Sequence, residues 1–462
     1  MKPLLILPEQ VTSFMNVFKK NGFAIYVVGG AVRDLFLKRK TKNWDFTTNA
    51  KPEKIQELFS ESFYNNDYGT VSIPVKWNQE KIIFEVTPFR KESDYIDFRH
   101  PKKVTWTDSI TDDLKRRDFT INAIAYDGIT IVDPFGGEAD IKNKIIRAVG
   151  EPDKRLLEDA LRLIRAVRIA CELGFMIDNT TRASIQSNAQ LITNISWERI
   201  RDELFKIIGS ENPSDGILFL RNMGLLKYIL PEVDDCFAIP QKSPLRHHMF
   251  DVGTHLAQAL KLCPSNDVIT RFATLLHDIG KAPTFKKDAK TNLITFYNHE
   301  IVGAEMVVKI ADRLRLSKKE KDKLFILVRF HMFTVSEKQT DKAIKRFIRN
   351  VGKDYLFDIL DLRVADRLGS GAKLTSWRTE LFKKRLEEVQ KEPFKITDLK
   401  INGNEVMKIL NLKPGPQVGK ILQDIFNVVA EGKLKNERSK LVDHLRRFSK
   451  ISKSGVATKG DE

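Results

Sequence analysis

Residues 25–48 constrain this chain more than any other stretch. An apolar run, Ile25-Tyr26-Val27-Val28, meets Gly29-Gly30, passes through Ala31-Val32-Arg33-Asp34 and returns as Asn43-Trp44-Asp45-Phe46-Thr47-Thr48. The pattern predicts a strand, a glycine turn, a short helix and a second strand. Two glycines let backbone N–H groups approach a phosphate closely, and the helix start favours an anion at the same place. Arg33 adds a fixed cation, with Asp34 beside it. Positions 43 and 45 are two apart on an extended segment and share a face, where paired side chains hold divalent metal. Asp45 suits that role, whereas Asn43 offers only a neutral amide oxygen.

The charge balance is consistent with a polyanionic partner. The 462 residues carry 78 Lys and Arg against 61 Asp and Glu, a formal charge of +17. A surface this basic draws nucleic acid through phosphate neutralisation. Cys171, Cys236 and Cys263 are too few and too scattered for a disulfide framework or a zinc ribbon. No apolar run approaches bilayer length, so no membrane partner is expected and a cytoplasmic location is.

The length calls for at least three units. Short apolar runs at 25–28, 44–47, 70–75, 82–87 and 129–132 predict a small mixed sheet. From about residue 154 the period becomes helical: Leu157, Ala160, Leu161, Ile164, Val167 and Cys171 form one apolar stripe that ends at Gly174. Further helices are expected at 197–208 and 214–229. Pro231, Pro240 and Pro244 mark a linker, and a second helical unit follows from Arg246 to Gly371. Helices are expected at 381–390 and 403–410, then a turn at 412–420 whose glycines and lysines suit a nucleic-acid backbone or an ordinary helix corner. The fold class is α+β: a small mixed-sheet head in 1–135, a helical neck and body in 136–240, a third unit in 241–371, a helical tail in 372–448 and a disordered end in 449–462.

The glycine turn and acidic strand, G-G-x-V-R-D followed by x-D-x-D-x-x-T, resemble the active-site strand pair of the class II tRNA nucleotidyltransferases and bacterial poly(A) polymerases. Further motifs follow in that family's order. Phe84-Glu85-Val86-Thr87 alternates, so Glu85 faces away from its apolar neighbours, and the resemblance makes it a third metal-binding group beside Asp45 and position 43. The family pattern has aspartate at position 43. Residues 95–101, Tyr-Ile-Asp-Phe-Arg-His-Pro, resemble the loop that helps such enzymes add the terminal adenosine. Residues 112–123, Asp-Asp-Leu-Lys-Arg-Arg-Asp-Phe-Thr-Ile-Asn-Ala, match the second family motif, in which Arg117, Asp118 and Asn122 serve triphosphate and ribose recognition. Glu158-Asp159-Ala160-Leu161-Arg162 resembles the motif whose Asp and Arg read the base edge of CTP or ATP. Helical spacing sets Asp159 and Arg162 one turn apart, with Arg165 and Arg168 continuing the stripe. Trp197-Glu198-Arg199-Ile200-Arg201 resembles the bracing helix that follows.

A second constellation lies in 241–371. His255, His277-Asp278, His299, His331 and Asp366 occur in an order that resembles the HD phosphohydrolases. His255, His277, Asp278 and Asp366 form the minimal metal set, His299 and His331 complete a two-metal version, and Lys281 is placed to hold phosphate. Imidazole with carboxylate suits Mn, Ni, Co or Fe better than Mg.

The resemblance implies CCA addition to tRNA 3′ ends from CTP and ATP with Mg²⁺, together with a phosphohydrolase or phosphodiesterase activity at the HD site. An A-adding enzyme, a poly(A) polymerase, and an RNA-binding HD hydrolase impaired by Asn43 are the alternatives. The sequence leaves the oligomeric state open.

Overall fold

The computed structural model describes residues 5–41, 43–64, 69–78, 80–95, 98, 101–241, 250–333, 336, 339–371, 377–390, 396–430 and 433–454. The mixed sheet is present and has seven strands in the order β3-β4-β5-β2-β1-β8-β9. They are β1 (Ile25–Val28), β2 (Asp45–Thr48), β3 (Phe63–Tyr64), β4 (Val71–Trp77), β5 (Glu80–Pro88), β8 (Ala125–Tyr126) and β9 (Ile131–Val132). Within this sheet, among the described residues, only β2 and β5 run parallel, and their register sets Asp45 opposite Glu85. β6 (Arg90–Tyr95) and β7 (Pro101–Trp106) form a separate hairpin around the expected loop. Within that loop, Ile96, Asp97, Arg99 and His100 lie outside the described residues, as do Pro244 and Arg246 of the linker.

The glycine turn forms because Gly29 takes φ +71°, a left-handed conformation costly for any residue with a Cβ. Val27 and Val28 are buried before it, and Ala31 and Val32 after it, so apolar anchors fix both arms.

Several expectations are corrected. The single helix expected from 154 to 173 is two, Pro152–Glu158 and Leu161–Leu173. Asp159 between them is extended (φ −141°, ψ 104°), and its carboxylate accepts the N–H of Leu161 at 3.1 Å. A short acidic side chain that bonds the backbone locally starts a helix more readily than it continues one. The expected helix at 214–229 is Pro213–Asn222 followed by Leu226–Ile229, broken where Gly224 takes φ +70°. Pro231, read as linker, opens the short helix Pro231–Asp234, where its missing N–H costs nothing. The end expected to be disordered from Ser449 is helical as far as Ser454, within the helix Arg438–Ser454.

One continuous apolar core runs from Leu5 through the sheet and the helices to Val389. A second, small core between Leu399 and Leu445 serves the tail alone. Among the described residues no helix is long and apolar enough to cross a membrane.

Candidate functional site

A cavity of about 720 Å³ opens where the head meets the neck, lined by Gly30, Arg33, Asp34, Asn43, Asp45, Asn122, Arg165 and Arg168 of the expected set. Arg39, Lys40, Lys206 and the segment Gly209-Ser210-Glu211 complete its wall. Asn43 lies just before β2, exposed, and Trp44 beneath it is buried. Asp45 and Glu85 face one another across the parallel strands. Burial pushes the Asp45 carboxyl above its usual range despite nearby Arg117 and Arg165. Burial, then the charge of Asp45, does the same to Glu85. Two neighbouring carboxyls, one raised by burial and the other raised in part by the charge of the first, are a fit for a divalent cation.

Beside the glycine turn runs a hydrogen-bonded chain of side chains. Arg33 donates to Asp34 Oδ1 from Nε (3.1 Å) and Nη2 (2.9 Å). Its Nη1 donates to Asn122 Oδ1 at 2.9 Å, and Asn122 Nδ2 donates to Asp118 Oδ1 at 3.1 Å. The other oxygen of Asp118 lies 2.9 Å from Arg165. Burial would raise the Asp118 carboxyl, but Arg165 and Arg162 overcome it and hold it ionised below the ordinary range. Arg117 reaches back over the glycine turn, such that a Cβ at Gly29 would lie 3.3 Å from its Nη1. Asp113, fully buried, anchors Arg117 at 3.2 Å and Arg116 at 2.7 Å. Sequence reasoning passed over Asp113 and Arg116, although their spacing of three is the signal of an intrahelical pair.

Residues 158–162 are built differently from the expected one-turn pair of Asp159 and Arg162. Arg162 is held by Glu158 at 2.6 Å and by the carbonyls of Arg155 (2.6 Å) and Arg116 (3.0 Å). Asp159 instead accepts from Arg199 Nη2 at 3.1 Å. The two side chains therefore have separate supports, and neither lines the cavity, nor do Gly29, Glu85, Arg117 or Asp118. Arg168 does line it, but its charge is taken up by Glu203 and Glu172. The loop reaches the motif as well: the Phe98 carbonyl accepts the Ala160 N–H at 3.1 Å. Tyr95 donates to Glu92, and burial, with the Glu92 charge, raises its phenol well above normal.

The sequence matches the Poly A polymerase head domain over residues 25–147 and the tRNA nucleotidyltransferase domain 2 over 284–445. The A-adding tRNA nucleotidyltransferase of Deinococcus radiodurans is 32% identical, the match covering 88% of this chain and 92% of that one. The CCA-adding enzyme of Levilactobacillus brevis is 33% identical over 94% of this chain and 96% of its own. The chain belongs to the class II tRNA nucleotidyltransferase family. Among solved structures, the Bacillus stearothermophilus CCA-adding enzyme in complex with CTP superposes with a TM-score of 0.72 at 27% identity, covering 98% of this chain and all of that one. This chain is accordingly an enzyme of nucleotidyl transfer.

A second cluster lies in the helices after residue 250 of the nucleotidyltransferase. His255, His277 and Asp366 form one group of possible metal ligands, and Asp278, His299 and His331 another. Asp278 joins them. Its Oδ1 lies 3.2 Å from His299 Nε2 and 3.4 Å from His331 Nε2, while its Oδ2 lies 3.3 Å from His277 Nε2 and 3.6 Å from His255 Nε2. The Nδ1 atoms of His277, His299 and His331 sit 2.7–2.8 Å from the carbonyls of Thr274, Phe296 and Val328. With Nδ1 turned to a carbonyl, Nε2 is the nitrogen that each ring presents to the cluster, the arrangement of metal-binding imidazole. Nε2 of His299 and of His331 are buried without a hydrogen-bond partner. Burial opposes a proton on His277, but Asp278 and Asp366 push its pKa up to about 10, so the cluster attracts positive charge strongly. The donor set fits two transition-metal ions. Lys281 bonds Asp278 at 2.6 Å and Gln241 at 2.7 Å. Gln241, buried, is a neighbour that no sequence motif announced.

Proposed function

We propose that this nucleotidyltransferase adds CCA to the 3′ end of tRNA in the cytoplasm, using CTP and ATP. The observation that carries the reading is the separate support of Asp159 and Arg162, joined through Ala160 to the loop at Phe98. A base-reading pair whose two members hang on different elements can change its geometry between cytosine and adenine, and a loop bonded to it can drive that change. Relatives of this chain carry CCA-adding names more often than A-adding ones among those compared, which agrees.

In the reaction, the RNA 3′-oxygen forms a bond to the α-phosphorus while the bond from that phosphorus to the bridging oxygen breaks, releasing pyrophosphate. Asp45 and Glu85, with the Asn43 amide oxygen, would hold Mg²⁺, which when bound lowers the cost of ionising the 3′-hydroxyl and neutralises the leaving phosphates. Arg33 and Arg117 bind triphosphate oxygens from the glycine-turn side, kept in place by Asp34, Asn122 and Asp113. Asp118, Arg165 and Arg168 hold the wall opposite. Asp159 accepts from, and Arg162 donates to, the base edge. The test is to incubate tRNA ending before CCA, tRNA ending in CC, and an unrelated RNA with CTP and ATP. Ordered CCA completion on tRNA alone is expected. ATP incorporation restricted to the CC-ended tRNA would replace the proposal with an A-adding enzyme, and homopolymer growth on any RNA with a poly(A) polymerase.

A second reading rests on the bridging position of Asp278. His255, His277 and Asp366 on one side, and His299 and His331 on the other, would hold a pair of ions such as Mn, Fe, Co or Ni, whose chemistry when bound is to activate water for attack on phosphorus. Lys281 would bind the phosphate of a phosphomonoester or a 2′,3′-cyclic phosphate at an RNA end. Elemental analysis of the purified protein should show about two transition-metal ions per chain. Asp278→Asn should lose both and His299→Gln one, and an unaltered metal content in both variants would overturn this reading.

A further inference from the structure

The helix Trp197–Ile208 touches the transferase site at three points along its length. At its start Arg199 holds Asp159. In its second turn Glu203 holds Arg168 and Lys206, which both line the cavity. Past its end, Gly209, Ser210 and Glu211 form part of the cavity wall. Ile200, Leu204, Ile207 and Ile208 bury its apolar stripe, yet packing of a stripe does not fix a helix along its own axis. The last carbonyls of a helix also lack partners of their own.

The last helical carbonyl, that of Ile208, and the Ser210 carbonyl just beyond the helix are taken by a residue from the second helical unit. Arg271 donates from Nε to the Ile208 carbonyl at 2.7 Å and from Nη2 to the Ser210 carbonyl at 3.2 Å. A planar guanidinium can bridge two carbonyls two residues apart, which a point-like ammonium cannot, and its charge suits a helix C-terminus. Arg271 sits on the helix Val268–Leu276, which runs directly into His277-Asp278. One helix thus carries the clamp on the wall of the transferase cavity and, at its end, His277 and Asp278 of the second cluster.

We infer that Arg271 is a positioning residue for nucleotidyl transfer. By clamping the end of the helix Trp197–Ile208, it sets where Gly209–Glu211 and Lys206 stand and, through Arg199, how Asp159 is presented to the base. The second helical unit is thus a working half of the transferase site, independent of any hydrolysis it performs. This rests on the transferase reading above.

The test uses the full chain and its Arg271→Gln and Arg271→Lys variants, with rates normalised to active enzyme by single-turnover burst and hydrogen exchange followed at 209–211. The KM for CTP should rise about tenfold in R271Q, the scale of one lost charge-assisted hydrogen bond, with kcat changed less than about threefold. R271K, which keeps the charge and loses the bridge, should recover little of that KM and should show the same faster exchange at 209–211. A purely structural role would lower the melting temperature and the active fraction and leave KM and kcat per active enzyme intact, and that result would overturn the inference. If R271Q does not fold, R271K decides alone by the same two readouts. Silence of the unaltered chain on every RNA would remove the transferase reading and the inference with it, whereas an active chain with an unmoved KM removes the inference only.

Discussion

Asn43 and Asp45 share the cavity, and only one of them brings a charge to the metal. A carboxylate binds Mg²⁺ better than a neutral amide. Asn43→Asp should therefore lower the Mg²⁺ concentration for half-maximal nucleotide addition by about tenfold, and a titration unchanged by the substitution would mean that position 43 is no ligand. Asp45 makes a prediction of opposite sign for stability. Its carboxyl is raised from 3.8 by burial, so in the metal-free protein its ionised form is disfavoured by folding. Below 3.8 the group is protonated folded or unfolded and the penalty is absent; it grows as pH rises from there through the raised value. Asp45→Asn should raise the melting temperature by about 2 °C at pH 8 without metal, and that gain should vanish toward pH 3.5 and shrink when Mg²⁺ is added. Thermal scans at the two pH values check it. Arg33 and the run Arg117, Asp118, Asn122 stood out in the sequence as two separate motifs, but the bonding of Arg33 through Asn122 to Asp118 was not legible, because Arg33 and Asn122 meet across 89 positions of sequence.

At the scale of elements, the break at Asp159 matters most. Periodicity predicts one helix through 154–173, since apolar spacing continues across the break. The local bond from the Asp159 carboxylate to Leu161 N, and the pull of Arg199, decide otherwise. Replacing Glu158 with Gln should free Arg162 from its charged partner and blur the choice between CTP and ATP, read as misincorporation on tRNA ending in CC. The second helical unit contains close approaches at Gly253, Gly280 and Gly369, of which that at Gly280 is the tightest. A Cβ at Gly280 would fall 2.0 Å from the His299 carbonyl and 2.7 Å from Gly303 N, both backbone atoms that cannot step aside alone. Gly280→Ala should destabilise the protein by about 3 kcal/mol, at the upper end of overpacking, and displace His299 enough to lower bound metal. Equal melting curves would show that the two segments separate more easily than their packing suggests.

At the scale of the whole molecule, the cores define what can be cut. The main core reaches from the head to the helix Trp377–Gln390, a small satellite core surrounds Leu114 in the head, and the tail from Leu399 onward has its own. A chain ending at Gln390 should keep its melting transition and its affinity for CTP. It should lose affinity for tRNA and show a shallower dependence of that affinity on salt, because part of the basic surface has gone; binding isotherms at two salt concentrations measure both. Sequence alone determined the sheet-forming runs, the glycine turn and the acidic strand, because each is a local pattern of polarity, size and backbone freedom. Only the tertiary structure decided that Asp278 bridges two sets of histidines, that Asp159 and Arg162 have different supports, and that Arg271 closes the helix beside the transferase cavity. Those three depend on contacts between segments tens of residues apart, and periodicity, which sees one turn of helix or one pleat of strand, carries no record of them. The opening turn shows the same division: Gly29 was readable from its neighbours, while the Arg117 side chain lying over it came from the packing of a distant helix end.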